Sequence, residues 1–100
     1  MDKNIEHKPS GSGGSFQYVL EGNAVGEMHY RMNDENTMTI DHTEVDEKME
    51  GQGIGKQLLG ELVEYVREHN VKVIPQCTFA HVTFKRMKEW QDVLVKPASD

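Results

Sequence analysis

The chain has 100 residues, enough for one domain but not for a separate substrate domain. Its formal net charge of −6 argues against nucleic acid as a direct partner and suits a basic amine or peptide. The single cysteine excludes an internal disulfide, and no apolar run near Met1 could form a signal peptide or a membrane span. We therefore expect a cytoplasmic protein with no membrane partner.

The N-terminal segment is polar and low in complexity. Residues 1–15 end in Ser-Gly-Ser-Gly-Gly-Ser, a composition that does not repay the entropy lost on ordering. We predict a flexible tail over residues 1–15, a single domain over 16–95 and a short C-terminal tail over 96–100.

Alternation of apolar and polar residues from Phe16 onward predicts three strands. Strands over 16–20 and 26–32 flank the turn-forming pair Gly22-Asn23, which is typical of a β-hairpin. A second turn over 33–36 leads into a third strand, Thr37–Val45.

Helical spacing follows in two later segments. Residues 55–69 carry one apolar stripe, formed by Leu58, Leu59, Leu62, Val63 and Val66. The next apolar run, 71–74, predicts a strand parallel to the third, because a helical crossover joins them. Residues 78–90 predict a second helix, with Phe79 and Trp90 in the core. The pattern indicates an α+β fold with a mixed, mostly antiparallel sheet, a β-α-β crossover and a C-terminal helix.

Glycines are concentrated between the third strand and the first helix. Gly51, Gly53 and Gly55 allow the backbone to approach phosphate oxygens closely, and the first N–H groups of the helix point toward the same place. A Walker-type loop does not fit, because Lys56 is followed by Gln57 and no hydroxyl is present to hold magnesium. The dinucleotide-binding spacing of glycines does not fit either. The segment predicts a site for a ligand with a diphosphate.

This segment resembles the coenzyme A loop of the GNAT superfamily of acyl-CoA N-acyltransferases. The superfamily motif, Gln/Arg-x-x-Gly-x-Gly/Ala, reads here as Glu50-x-x-Gly53-x-Gly55, preceded by the strand sequence His-Thr-Glu-Val. Small single-domain members carry a cysteine on the next strand, where this chain has Cys77. The resemblance extends over roughly residues 16–93. One departure is Glu50, which puts a carboxylate near the expected phosphates.

The resemblance implies an acetyl-CoA-dependent N-acetyltransferase that acts on a small amine or on a protein lysine or N-terminus. In that fold the two strands flanking the helix splay apart, and the pantetheine arm of coenzyme A lies in the gap. The residues expected to bind the cofactor are Thr43, Glu44, Val45, Gly51, Gln52, Gly53, Ile54, Gly55 and Lys56.

Cys77 and His42 are the candidate catalytic residues. The superfamily commonly uses a tyrosine on the last helix as the acid, and this chain has none after Tyr65. Cys77 stands near that place, either to accept the acetyl group, to protonate coenzyme A, or to serve as a small buried apolar residue. His42 is the candidate base, with Glu44 as the alternative; strand alternation places His42 on the same face as Ile40.

Two other functions fit the sequence. The chain could be a non-catalytic module that binds or senses acyl-CoA, or an interaction domain whose glycine turn binds nothing. No histidine has the spacing to cysteine or carboxylates that a zinc site requires, so no metal is expected. A monomer or weak homodimer is expected, and the amine acceptor is left open.

Overall fold

The computed structural model describes residues 4–96. It contains a five-stranded sheet, two α-helices and two short 3-10 helices. The elements are β1 (Ile5–Ser10), β2 (Gly13–Leu20), β3 (Asn23–Asp34), β4 (Thr37–Val45), a 3-10 helix (Glu47–Met49), α1 (Ile54–His69), β5 (Lys72–Pro75), α2 (Thr78–Arg86) and a 3-10 helix (Lys88–Val93). The strands lie in sequence order, antiparallel except for the parallel pair β4 and β5. The predicted α+β fold is confirmed.

The prediction of a flexible tail over 1–15 is wrong where the structure describes it. Residues 5–15 form β1, a turn and the start of β2, with Gly11 in the left-handed conformation at φ 59°. His7 orders this hairpin, because its ring stacks on Phe16 at 4.2 Å and its Nε2 lies 2.6 Å from the hydroxyl of Tyr30. The prediction rested on composition alone and missed these cross-strand contacts. Residues 1–3 lie outside the described part of the chain.

The predicted hairpin and third strand are confirmed, although the turn lies one residue earlier than the predicted Gly22-Asn23, since Asn23 already begins β3. The turn between β2 and β3 has positive φ at both central residues, Glu21 (50°) and Gly22 (83°), as a tight turn between twisted strands requires. β4 has the predicted bounds.

The core lies between one face of the sheet and the apolar stripe of α1. Gly26 in β3 lies directly beneath this helix, since a Cβ added there would approach a methyl carbon of Ile54 to 2.8 Å. Fully buried core side chains include Met28, Met38, Ile40, Leu58, Leu59, Leu62, Val66, Val73 and Phe84. No helix within residues 4–96 has both the length and the apolar character needed to cross a membrane.

The second helix is shorter than predicted. α2 ends at Arg86, where the side-chain amide of Gln91 donates to the carbonyl of Phe84 (3.1 Å), and the chain continues as a 3-10 helix. Trp90 packs against the core, as expected. The expectation that Phe79 is buried is wrong, because its side chain is 39% exposed. Of the predicted C-terminal tail, 97–100 lie outside the described residues.

Candidate active site

A gap opens between β4 and β5. The two strands pair only from Thr37 to Ile40, opposite Lys72–Pro75. The backbone N–H groups of Gln76 and Cys77 both donate to the carbonyl of Ile40, each over 3.1 Å, and close the paired region. Residues 41–45 of β4 have no β5 partner in the described chain, so their backbone edge on this side is open to a ligand.

The glycine loop leads into this gap from the end of β4. Gly51 and Gly53 adopt positive φ angles of 84° and 77°, which favour glycine over other residues. Gly53 is the N-cap of α1 and has no side chain to accept the first N–H groups of the helix. These donors, at the positive end of the helix dipole, are left for an anion.

A cleft of about 480 Å³ lies between the glycine loop, β4 and α2. Its lining residues are Thr43, Val45, Met49, Glu50, Gly51, Gly53, Ile54, Gly55, Lys56, Phe79, Thr83, Arg86 and Met87. Most of the residues predicted to bind the cofactor lie along it. Gln52 and Glu44 do not line this cleft, although Gln52 lies in the same loop.

Sequence reasoning weighed Arg86, with Lys85 and Lys88, as a phosphate contact from the last helix against a solvated helix face, but it missed Phe79 and Thr83 as part of a wall that α2 contributes. Phe79, Thr83 and Arg86 are spaced i, i+4 and i+7, so they form one stripe of the helix facing the cleft. The ring of Phe79 lies on the start of α1, where a Cβ added to Gly55 would come within 2.7 Å of it. Gly55 therefore serves close helix packing, and the helical spacing of the three residues was the signal that could have revealed the wall.

Cys77 lies next to the cleft and caps α2. Its Sγ accepts a hydrogen bond from the backbone N–H of Ala80 (3.3 Å), as an N-cap side chain does. The same sulfur lies 3.2 Å from Oγ1 of Thr43, which lines the cleft. Cys77 itself is half-buried and does not line the cleft, although Thr43, which its sulfur contacts, does.

His42 lies on the face of β4 that points away from the core. His29 pairs with His42 but Tyr30 pairs with Ile40, so Asp41 is an extra residue that forms a β-bulge. The bulge breaks the alternation, and the prediction that His42 shares a face with Ile40 is wrong: Ile40 is buried and His42 is exposed. The structure does not bring His42 together with Cys77.

His42 instead pairs with Glu44. His42 Nε2 lies 2.9 Å from Oε2 of Glu44, and this hydrogen bond, with the charge of the imidazole, lowers the pKa of that carboxyl. The neighbouring His29 and Glu27 form a second such pair at 3.0 Å. The exposed side of the β3–β4 ladder therefore carries two histidine–carboxylate pairs.

A second cleft, of about 520 Å³, adjoins the first across β4. The two clefts share Thr43, Val45 and Glu50. The second contains four carboxylates and is lined by Ala24, Val25, Gly26, Glu27, Thr43, Glu44, Val45, Asp46 and Glu50. Thr43 and Val45 of β4 therefore border both clefts.

A family model described as GCN5-related N-acetyl-transferase matches residues 15–93. The chain belongs to this family. A GCN5-like protein of Staphylococcus aureus, whose structure was determined by NMR, is 40% identical; the match covers 92% of this chain and 89% of that one, with a TM-score of 0.71. This GNAT chain is therefore an acyltransferase that uses acetyl-CoA, as its sequence predicted.

More distant structures share the GNAT fold. A GNAT family acetyltransferase of Elizabethkingia anophelis with acetyl-CoA bound is 17% identical (TM-score 0.65; 87% of this chain and 76% of that one). An aminoglycoside acetyltransferase from an uncultured soil metagenomic sample, in complex with sisomicin, is 20% identical (TM-score 0.64; 91% and 61%). No curated protein matches the sequence.

Proposed function

We propose that the chain holds acetyl-CoA in the cleft beside the glycine loop and transfers the acetyl group to a primary amine. The observation that carries this proposal is the gap between β4 and β5, because it brings an unpaired strand edge and the exposed N–H groups of α1 to one cleft. The strand edge suits the amides of a pantetheine arm, and the helix start suits a diphosphate.

The second cleft is our proposed entrance for the amine. Its carboxylates attract a protonated amine, and it meets the first cleft at Thr43, Val45 and Glu50. We assign the base to the pair formed by Glu44 and His42: Glu44 lines this cleft and takes the amine proton, and His42, in its neutral form, receives that proton through their hydrogen bond. The carboxylate of Glu27 also lines this entrance.

In the reaction, the neutral amine nitrogen attacks the thioester carbonyl, a C–N bond forms and the C–S bond breaks. The departing coenzyme A thiolate takes a proton. Cys77 is our candidate for this chemistry, either as the acid that supplies that proton or as a thiolate that first accepts the acetyl group. This role is supported by the contact of the Cys77 sulfur with Oγ1 of Thr43 (3.2 Å), since Thr43 lines the cleft.

Direct transfer without an acetyl-cysteine is favoured by the position of Cys77, whose sulfur is engaged by Ala80 and Thr43 and does not line the cleft. Cytoplasmic location, a monomer or weak homodimer, and the kind of amine stay predictions.

Intact mass after incubation with acetyl-CoA, together with release of free coenzyme A in the presence of an amine panel, tests the proposal. Three proteins are compared: the parent chain, Cys77→Ser, which keeps an N-cap hydroxyl, and Cys77→Ala, which has no cap. A mass increase of about 42 Da in the parent chain alone indicates an acetyl-cysteine. Amine-dependent release of coenzyme A without that adduct indicates direct transfer. If all three proteins bind coenzyme A but none releases it with any amine, the proposed transfer to a primary amine fails.

A further inference from the structure

The cleft-facing stripe of α2 ends in a cation. Phe79, Thr83 and Arg86 line the cleft in that order, and the helix ends at Arg86. Lys56 lies on the opposite wall, in the first turn of α1 beside the glycine loop. Two positive side chains on different elements therefore line one cleft in a chain whose net charge is −6.

In the part of the chain that the structure describes, Arg86 lacks the acidic partner that the other arginines have. Arg31 pairs with Asp41, and Arg67 pairs with Asp92 over 2.7 Å. Within residues 4–96, Arg86 has neither an ion pair nor a side-chain hydrogen bond. A guanidinium presents a planar set of N–H donors that matches phosphate oxygens, so an unpaired arginine in a cleft is suited to a phosphate.

The position of Arg86 along α2 also fits an extended ligand. Nine residues separate Cys77 from Arg86, which at 1.5 Å per residue is about 13 Å along the helix. The end near Cys77 and Thr43 is where the acyl group is expected, the exposed ring of Phe79 provides an apolar surface beyond it, and the cation follows. This order corresponds to a thioester, a pantetheine arm and a phosphate.

We propose that Arg86 binds a phosphate group of coenzyme A from the wall opposite the glycine loop, with Lys56 on the loop side. The inference rests on the proposed coenzyme site and adds a specific anion subsite to it. The phosphate is either the 3′-phosphate of the ribose or the diphosphate, since both have the chemistry that a guanidinium recognises.

Binding of coenzyme A, 3′-dephospho-coenzyme A and pantetheine, measured by calorimetry or by chemical-shift titration, tests this subsite in the whole chain. The matched control is Lys85→Gln, which removes the same charge from the adjacent exposed position, outside the cleft lining. We expect Arg86→Gln to weaken coenzyme A binding by roughly 10- to 100-fold, Arg86→Lys to recover part of it, and Lys85→Gln to change it little. Pantetheine, which has no phosphate, should bind the parent chain and Arg86→Gln equally.

The three ligands separate the outcomes. If Arg86→Gln loses affinity for coenzyme A but not for 3′-dephospho-coenzyme A, Arg86 binds the 3′-phosphate. If it loses the same affinity for both ligands, Arg86 binds the diphosphate. The proposed subsite is wrong if Arg86→Gln binds coenzyme A as tightly as the parent chain does. It is also wrong if Lys85→Gln loses as much affinity for coenzyme A as Arg86→Gln. In both cases the coenzyme site itself is not contradicted. If the parent chain binds no coenzyme A, the coenzyme site and this inference both fail.

Discussion

The hydroxyl oxygen of Thr43 lies 3.2 Å from the sulfur of Cys77, although 34 residues separate the two in the chain. This contact joins β4 to the N-terminus of α2 just beyond the point where β4 and β5 part. It therefore links the strand edge that lines the cleft to the helix that forms its far wall.

Replacing Cys77 should reveal its role as an N-cap. Cys77→Ala leaves the N–H of Ala80 without its acceptor, and we expect the free energy of unfolding to fall by about 0.5–1 kcal/mol, at the low end for caps because sulfur is a weak acceptor. Cys77→Ser keeps an acceptor and should unfold at nearly the parent's urea midpoint. Equal stability of the alanine variant and the parent would rule out a capping role.

Gly55 and Phe79 should be energetically coupled. In Gly55→Ala the new Cβ would lie 2.7 Å from the far end of the Phe79 ring, so the ring must shift. We expect this cost to cancel most of the roughly 1 kcal/mol that alanine gains over glycine in a helix, and to weaken coenzyme A binding. In a Phe79→Ala background the ring is gone, and the same change should be stabilising by up to about 1 kcal/mol, because alanine is the better helix former. A double-mutant cycle by urea unfolding measures this coupling; additive effects would contradict the contact.

Glu50 should weaken coenzyme A binding, because it puts a carboxylate in the cleft where the superfamily motif has Gln or Arg. Glu50→Gln removes repulsion near the start of α1, and we expect the dissociation constant to fall by about two- to fivefold, with a smaller gain at high salt. The dissociation constant is measured by calorimetric titration with coenzyme A. The control is Glu47→Gln, which removes the same charge from an exposed position outside the cleft lining. Weaker binding in Glu50→Gln would show instead that the carboxylate contacts the ligand favourably.

Acid should destabilise the N-terminal hairpin through His7. Burial, and then the charge of His69, lower the pKa of His7 below its ordinary value of 6.5, so protonation is harder in the folded chain than in the unfolded one. The stability that neutral His7 contributes is present above the unfolded pKa and is lost as the pH falls below it. The aromatic rings that face it belong to Phe16, Tyr30 and Tyr65.

Urea unfolding at about pH 7.5 and about pH 5.5 measures this effect. The difference in unfolding free energy between the two pH values should be smaller in His7→Gln, because the glutamine side chain does not titrate in this range. The control, His81→Gln, changes an exposed histidine of α2 and should keep the parent's pH dependence. An unchanged difference in His7→Gln would contradict the assignment.

Much of the fold could be predicted from the sequence because the local residue patterns agree with the tertiary structure. The alternation in β4, the apolar stripe of α1 and the glycines at positions 51, 53 and 55 each predict one structure, and the crossover rule then makes β5 parallel to β4. The loop glycines were also the strongest signal for the site. Gly51 and Gly53 have positive φ angles, and Gly55 leaves space for the ring of Phe79.

The parts that were missed depend on tertiary contacts. The bulge at Asp41 moves His42 to the face of the sheet opposite Ile40. The alternation of apolar and polar residues does not predict this bulge. β1 is held by the contacts of His7 with Phe16 and Tyr30, which a polar composition hides. Phe79 was assigned to the core because apolar residues at helical spacing usually face it, whereas here that side of α2 faces the cleft.

Titration of ¹⁵N-labelled protein with acetyl-CoA, followed by amide chemical shifts, tests the central claim most directly. The account predicts saturable shifts for residues on all walls of the cleft, namely Thr43 on β4, Gly53 in the loop and Thr83 on α2, with little change at Gly11 in the turn between β1 and β2. Shifts centred on the β1–β2 hairpin, or no shifts at saturating acetyl-CoA, would contradict a coenzyme site in this cleft.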